Sequence, residues 1–187
     1  DKVNNIQVGG RNLVIGSNQL GVILLYGVTG TLENIVDNTV PSGQIFRISN
    51  IVRTIGDYVF FIPTGNNQSR FSIPLGGGLV TITFYIRTNS LQVLNVGYSI
   101  EIPENTWTKV SYQRMYPSSG NIHYTLTGEN LTTVEIHSLK IEKGNKATDW
   151  TPAPEDIQYD YEAKIENAAD SISLAVYNKT LDKLNPA

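Results

Sequence analysis

The sequence predicts an all-β domain, an antiparallel β-sandwich or jelly roll, followed by a C-terminal α-helix. The middle of the chain consists of short runs rich in β-branched and aromatic residues, and Gly, Pro and Asn turn signals separate them. Within several of these runs apolar and polar residues alternate, which is the period of a β-strand. After Pro152 and Pro154 the apolar period changes to three or four, which is that of a helix. Strands at this spacing without intervening helices favour an antiparallel arrangement.

The runs predict eight strands, and one of them shows its two faces clearly. The expected strands are Asn12–Ile15, Gln44–Val52, Tyr58–Ile62, Leu79–Thr88, Gln92–Tyr98, Thr106–Arg114, Asn121–Thr127 and Val134–Ile141. In Leu79–Thr88, the residues expected to face the core are Val80, Ile82, Phe84 and Ile86, and those expected to face outward are Thr81, Thr83, Tyr85 and Arg87.

The chain divides into three parts. Residues 1–11 end in Gly9-Gly10 and indicate a linker, residues 12–152 form the β domain, and residues 153–187 contain the helix. The helix carries one apolar stripe: Ile157, Tyr161, Ile165, Ala168, Ile172 and Ala175. This stripe predicts either packing on the chain's own domain or the start of a coiled coil in an oligomer. The chain begins without Met, so we expect it to be a piece of a longer protein.

The composition argues against several classes of partner. The net charge is −3 and only 17% of residues are charged, so no basic field is available to attract nucleic acid or anionic lipid. No apolar stretch approaches the length of about 20 residues that a membrane helix needs. The polar surface must instead consist mainly of Asn, Thr, Ser and Gly, which suits a neutral ligand rich in hydroxyl groups.

The sequence contains no convincing catalytic or metal-binding motif. Glu101 and Glu104 flank Pro103, but this spacing gives no reason for the two carboxylates to converge as they do in a glycosidase. The only histidines, His123 and His137, lack a third zinc ligand at a recognisable spacing, so we expect ordinary histidines on a sheet surface. We therefore expect no enzymatic activity.

Sugar rings are recognised by aromatic side chains, which contact C–H groups, and by polar side chains, which bind hydroxyl groups. Tyr85 and Arg87 share one outward face, and Arg47 and Ser49 share another. Tyrosines near strand ends are further candidates because loops often build binding sites. The predicted ligand-binding residues are Arg47, Tyr58, Tyr85, Arg87, Tyr98, Gln113 and Tyr116, whereas Phe60 and Tyr112 are assigned to the core.

Two segments carry a resemblance to a family. They are Gly10-Arg-Asn-Leu-Val-Ile15 and the segment Leu139–Asp156, which includes Asp149-Trp-Thr-Pro152. They resemble the borders of modules in tail, baseplate and tail-associated proteins of phages of Gram-positive bacteria, with the accessory baseplate proteins of lactococcal phages most similar. Between them, Thr81–Arg87 followed by Asn105-Thr-Trp-Thr-Lys-Val110 is similar to the strand pattern of jelly-roll carbohydrate-binding modules.

The resemblance implies a sandwich in the virion that binds host cell-wall or capsular polysaccharide, with the helix available for other baseplate or tail proteins. The alternatives are a structural tail spacer that binds no sugar and a glycan-degrading enzyme. The resemblance also implies packing roles for Trp107 and Trp150. Many such modules hold a structural calcium with an Asp in the last strand, but His137 stands there, and calcium prefers oxygen ligands. We therefore expect no cofactor, although backbone carbonyls and acids of the entry strand remain as possible calcium ligands.

Overall fold

The structure is a computed structural model that describes residues 10–14, 24–26, 28–53, 58–62, 78–116 and 122–184. These residues contain ten strands and one helix. The strands are β1 (Leu24–Tyr26), β2 (Val28–Val36), β3 (Gln44–Arg53), β4 (Tyr58–Ile62), β5 (Gly78–Thr88), β6 (Gln92–Asn95), β7 (Ser99–Ile102), β8 (Thr108–Tyr116), β9 (Ile122–Gly128) and β10 (Val134–Lys143), and the helix is α1 (Pro154–Leu184).

The strands form two five-stranded antiparallel sheets, which confirms the predicted fold class. One sheet has the order β1-β4-β9-β6-β7, and we name it the β9 sheet. The other has the order β2-β3-β10-β5-β8, and we name it the β5 sheet. The ring of Phe84 on β5 meets the ring of Tyr124 on β9 edge-on at 5.0 Å, so the inner faces of the two sheets share one core.

The alternation read from β5 predicts its inner face correctly. Val80, Ile82, Phe84 and Ile86 are all fully buried, and each such side chain contributes about 1.5–3 kcal/mol through loss of apolar surface to water. Tyr112 of β8 also lies in this core, as predicted. The side chain of Phe60 lies outside the described residues.

The strand β10 contains a one-residue bulge that sets which side chains reach the outer face. His137 pairs with Tyr85, but the next pair is Lys140 with Thr83, so β10 uses one more residue than β5 over this stretch. Ser138 occupies the bulge with a φ of 53°, in the left-handed region. Because of the extra residue, Leu139 and Ile141 lie in the core, while Lys140 and Glu142 stay on the outer side.

The two segments that carry the family resemblance are bound to each other. The N–H of Leu13 donates to the carbonyl of Ile141 at 2.8 Å. The fully buried amide of Asn12 donates to the carbonyls of Leu139 and Thr151, and its oxygen accepts from the backbone of Val14 and Ile141. One side chain therefore joins the entry of the β domain to its exit.

The strand predictions need corrections at several places. Residues 12–14 are not a strand, and Ile15 lies outside the described residues. The strand predicted over Gln92–Tyr98 ends at Asn95, because a turn at Gly97, with a φ of 101°, leads into β7. The strands β1, β2 and β7 were not predicted.

The helix α1 begins with Glu155 and Asp156 in its first turn, where carboxylates interact favourably with the helix dipole. Its apolar stripe is exposed: Ile157, Tyr161, Ile165 and Ile172 all remain open to solvent in the single chain. Within the described residues, no helix is both long and apolar enough to cross a membrane.

Candidate functional site

The outer face of the β5 sheet collects polar and aromatic side chains from neighbouring strands. The register aligns Arg47 of β3 with Glu135 of β10, and Glu135 with Arg87 of β5. Side chains directly opposite each other on one face of a sheet are close enough to interact. These three residues therefore form a row across the face.

Glu135 holds both arginines in fixed positions. Its Oε1 accepts from Nε and Nη2 of Arg47 at 2.8 and 2.7 Å, and its Oε2 accepts from Nε and Nη2 of Arg87 at 2.6 and 2.5 Å. The Glu135 side chain is only 6% exposed, whereas about a third of each arginine is exposed. Charged hydrogen bonds of this kind are the strong ones, so the guanidinium groups are fixed while part of each faces solvent.

Trp107 packs on this row rather than in the core. The guanidinium carbon of Arg87 lies 4.6 Å from the centroid of the Trp107 ring, a cation–π contact. The same ring meets His137 edge-on at 4.5 Å. Trp107 is half-buried, so part of its ring is open on the outer face.

Tyr85 is held between two neighbours. Its ring stacks on the imidazole of His137 at 4.8 Å with an angle of 6° between the planes. Nζ of Lys109 lies 5.9 Å from the centroid of the Tyr85 ring. Because β10 and β8 flank β5 on opposite sides, the two faces of the ring are covered, and Tyr85 offers a ligand its edge and its hydroxyl group rather than a flat platform.

His137 is buried, with 5% of its surface exposed, so the expectation of an ordinary surface histidine is wrong. Burial lowers the pKa of His137 to about 4, against the nearby charge of Asp37, which acts to raise it. Its Nδ1 shares a hydrogen bond of 2.8 Å with the hydroxyl of Ser138. The imidazole is therefore neutral at neutral pH and supports Tyr85 and Trp107 from below.

Among the described residues, three depressions open along the outer face. The first, of about 460 Å³, is polar and is lined by Arg47, Ser49, Arg87, Asn89, Asn105 and Glu135. The second, of about 220 Å³, lies beside Tyr85 and Trp150. The third, of about 510 Å³, lies beside Tyr98 and Gln113.

The segment Gly144–Trp150, which we name the strap, covers another part of the face. Thr148 donates its N–H and its hydroxyl to the two oxygens of Glu142 at 2.8 and 2.7 Å. Nζ of Lys140 donates to the hydroxyl oxygen of Thr148 and lies 3.5 Å from Glu142. Lys140 and Glu142 are fully buried, so this ion pair fixes the wall of the second depression.

The structure brings five of the seven predicted binding residues to the outer side of the β5 sheet or its edge. Arg47, Arg87 and Tyr85 gather around Glu135 and His137, and Tyr98 and Gln113 line the third depression. The other two are Tyr58, which lies on β4 in the β9 sheet, and Tyr116, which ends β8, and the side chains of both lie outside the described residues.

The roles implied for the two tryptophans have different outcomes. Trp150 donates from Nε1 to the carbonyl of Leu139 at 3.1 Å, which confirms that it anchors the chain on the sandwich. Trp107 also packs, but against Arg87 on the outer face, so it belongs to the candidate site. The sequence around Trp107 does not predict its contact with Arg87, because this contact depends on the register between β5 and β8.

The two glutamates that flank Pro103 line none of the three depressions. Glu101 lies on the edge strand β7, Glu104 lies in the following turn, and both are exposed. The side chain of His123 lies outside the described residues. Within the described part of the chain, no three His, Cys, Asp or Glu side chains come together as a metal site.

No family model and no curated protein matches the chain. Among solved structures, it is similar to the CBM22-1 xylan-binding domain of Xyn10C from Paenibacillus barcinonensis, with 10% identity over 75% of this chain and 99% of that chain and a TM-score of 0.45. It is also similar to the family 11 carbohydrate-binding module from Clostridium thermocellum in complex with a β-1,3-1,4-mixed-linked tetrasaccharide. This match has 14% identity over 76% of this chain and 99% of that chain, with a TM-score of 0.45.

The chain is also similar to the enzymatically active domain of tailspike protein 4 of bacteriophage CBA120, with 16% identity and a TM-score of 0.42. This match covers 70% of the chain but only 21% of the tailspike chain. At these values the likenesses carry no inference about function, which has to come from the side chains of the outer face.

Proposed function

We propose that this chain is a non-catalytic module that binds saccharide on the outer face of the β5 sheet. The observation that carries the proposal is the row Arg47–Glu135–Arg87 beside the half-buried ring of Trp107. It places fixed hydrogen-bond donors next to an aromatic ring, which is the combination that a sugar needs.

The donors suit hydroxyl groups because Glu135 occupies only part of each guanidinium group. An arginine has five N–H donors, and Glu135 engages Nε and Nη2 of Arg87. The other terminal nitrogen, Nη1, remains to donate into the polar depression. Asn105 lines the same depression and adds an amide group that can donate and accept. The amide of Asn89, also in the lining, is held by the backbone of Asn130, Thr132 and Thr133 and shapes the depression.

The biological setting that we propose is a phage tail or baseplate, where the module attaches the virion to host cell-wall or capsular polysaccharide. A shallow, open site of this kind gives weak binding at each copy. Many copies on one particle then produce strong adhesion, because later contacts form at a high effective concentration. The exposed stripe of α1, with Ile165 and Ile172 at its centre, favours a role of the helix in assembly with other tail proteins.

The test is whether the purified chain binds wall and capsular polysaccharides of Gram-positive bacteria that have been separated by size. Affinity electrophoresis and calorimetry measure this binding. Trp107→Ala should weaken binding about two- to tenfold, since an aromatic contact contributes about 0.5–1.5 kcal/mol. Tyr177→Ala, which removes an exposed tyrosine of α1, is the matched control and should leave binding unchanged.

Two results would overturn the proposal. One is a chain that binds none of these polysaccharides while its near-ultraviolet circular dichroism shows native packing, which would favour the alternative of a structural spacer. The other is a Trp107→Ala variant that binds as tightly as the parent chain. Labelling of tail tips by antibodies against the chain, observed by electron microscopy, tests the location in the virion separately.

A further inference from the structure

We infer that the proposed saccharide site has a second subsite centred on Tyr98, so that the module recognises an internal stretch of a polysaccharide chain rather than a chain end or a single sugar. This inference rests on the proposed function and adds to it the form of the ligand. It follows from the position, exposure and anchoring of Tyr98.

Tyr98 is an exposed aromatic ring in a fixed position. It lies in the turn between β6 and β7, and 55% of its surface is exposed. Its hydroxyl donates to the carbonyl of Ser111 on β8 at 3.1 Å, and within the turn the N–H of Val96 donates to the carbonyl of Tyr98 at 3.0 Å. A ring held at both ends loses little conformational entropy when a ligand stacks on it.

This environment differs from that of Tyr85, whose ring is flanked on both faces by His137 and Lys109. An exposed ring that is tied down through its hydroxyl offers a flat surface to the C–H face of a sugar. Of the two tyrosines, Tyr98 therefore has the geometry of a platform, whereas Tyr85 has the geometry of a wall.

Polar groups surround Tyr98 as a sugar site requires. Gln113 is exposed, and its Nε2 donates to the backbone carbonyl of Asn145 in the strap at 2.6 Å. This bond fixes the amide and leaves its oxygen to accept from a hydroxyl group. Lys146 lines the same depression of about 510 Å³ and adds a cationic donor.

The two subsites lie along one strand at a distance that a single sugar ring cannot span. Trp107 immediately precedes β8, and Ser111 and Gln113 follow it by four and six residues. At about 3.3 Å per residue, this corresponds to roughly 13–20 Å along β8. The exposed Lys109 lies between them on the same face. Only a chain of several sugar units touches both ends.

A purely structural role for Tyr98 is the competing explanation. The strand β8 is at the edge of its sheet, and the bond from Tyr98 to Ser111 blocks part of that edge, as proteins often do against aggregation. The hydroxyl suffices for this role. Tyr98→Phe removes the hydroxyl and keeps the ring. This variant therefore distinguishes protection of the sheet edge from stacking on a sugar.

The experiment measures the affinity of oligosaccharides of increasing length. They are obtained by partial acid hydrolysis of the wall polysaccharide that the parent chain binds, and calorimetry gives Kd for the parent, Tyr98→Ala, Tyr98→Phe and the control Tyr177→Ala. For the parent, the affinity should rise about two- to tenfold once the oligosaccharide reaches both subsites. Tyr98→Ala should abolish this rise and leave the affinity for the shortest binding fragments unchanged, whereas Tyr98→Phe should keep most of it.

The inference is overturned if Tyr98→Ala shows the same rise with length as the parent, or if it weakens short and long fragments equally. It is also overturned if the shortest fragments already bind as tightly as the polysaccharide. These outcomes differ from failure of the proposed function, in which the parent chain binds no polysaccharide and Trp107→Ala has nothing to weaken.

Discussion

Replacing Asn12 by alanine should destabilise the β domain by about 3 kcal/mol, although the residue lies far along the chain from the strands that it joins. The fully buried amide forms hydrogen bonds to Val14, Leu139, Ile141 and Thr151. Alanine removes these four bonds and leaves polar backbone groups in a region from which water is excluded.

The magnitude follows from the lengths of these bonds. The bonds to Thr151 and Val14 are 2.9 and 3.0 Å long, and those to Leu139 and Ile141 are both 3.3 Å long. We assign about 1 kcal/mol to each shorter bond and about 0.5 kcal/mol to each longer one, within the range measured for intramolecular hydrogen bonds. For a domain of this size, about 3 kcal/mol corresponds to a fall in Tm of roughly 6–12 °C.

Thermal and urea unfolding followed by circular dichroism measure this loss. The matched control is Asn34→Ala, which removes an exposed amide on the edge strand β2 and should change stability by less than about 0.5 kcal/mol. If Asn12→Ala lowers Tm no more than the control does, the amide does not hold the entry segment to the exit segment, and the reasoning fails.

Three further predictions concern the charged residues of the outer face. The β domain should lose stability as pH falls from about 6.5 towards 4, because burial holds the pKa of His137 near 4 in the folded state while the unfolded chain takes up the proton at higher pH. In thermal melts of His137→Gln, Tm should change less with pH across this range. Lys140→Met should lower the free energy of unfolding in urea by about 3 kcal/mol, because it leaves the buried carboxylate of Glu142 without its cation. The double variant Lys140→Met/Glu142→Leu should regain part of this loss, and no recovery would show that the two residues are not coupled. Glu135→Gln should lower the free energy of unfolding by about 2 kcal/mol, because two guanidinium groups lose their shared anion. Saccharide binding should also weaken, and an unchanged affinity would mean that binding does not require Glu135 to hold the arginines in place.

Much of the fold could be predicted from the chain because β5 shows its period without interruption. Its buried apolar residues occupy every second position, and so do Phe46 and Ile48 on β3. The strand β2 was missed because it lies at the edge of the sheet, contains Gly30 and is exposed over most of its length, so no apolar face marks it. The strand β7 is only four residues long.

The site was predictable in its residue types and less so in its arrangement. The outward face of β5 was assigned correctly, but Thr81 and Thr83 are buried there. Thr81 donates its hydroxyl to the carbonyl of Gly144 in the strap, and Thr83 shares a hydrogen bond with Ser111. Local alternation gives the direction of a side chain, whereas its exposure depends on segments that arrive from elsewhere.

Glu135 shows the same limit more sharply. It lies in the predicted strand Val134–Ile141, and nothing in its neighbourhood along the chain marks it as the centre of a site. It becomes the centre because β10 is placed between β3 and β5, each of which supplies one arginine at the matching register position. That placement is a property of the sheet order, which a single sequence does not reveal.

The bulge at Ser138 has a consequence for how this molecule tolerates changes in length. Removing one residue between His137 and Lys140 would return β10 to plain alternation with Lys140 still opposite Thr83, so that Leu139 and Ile141 would stay in the core and Lys140 and Glu142 on the outer side. Surface loops gain or lose residues at small entropic cost. At the bulge, β10 can lose one residue in a similar way, whereas a deletion in the regular part of the strand would exchange the core and outer faces of every residue on one side of it.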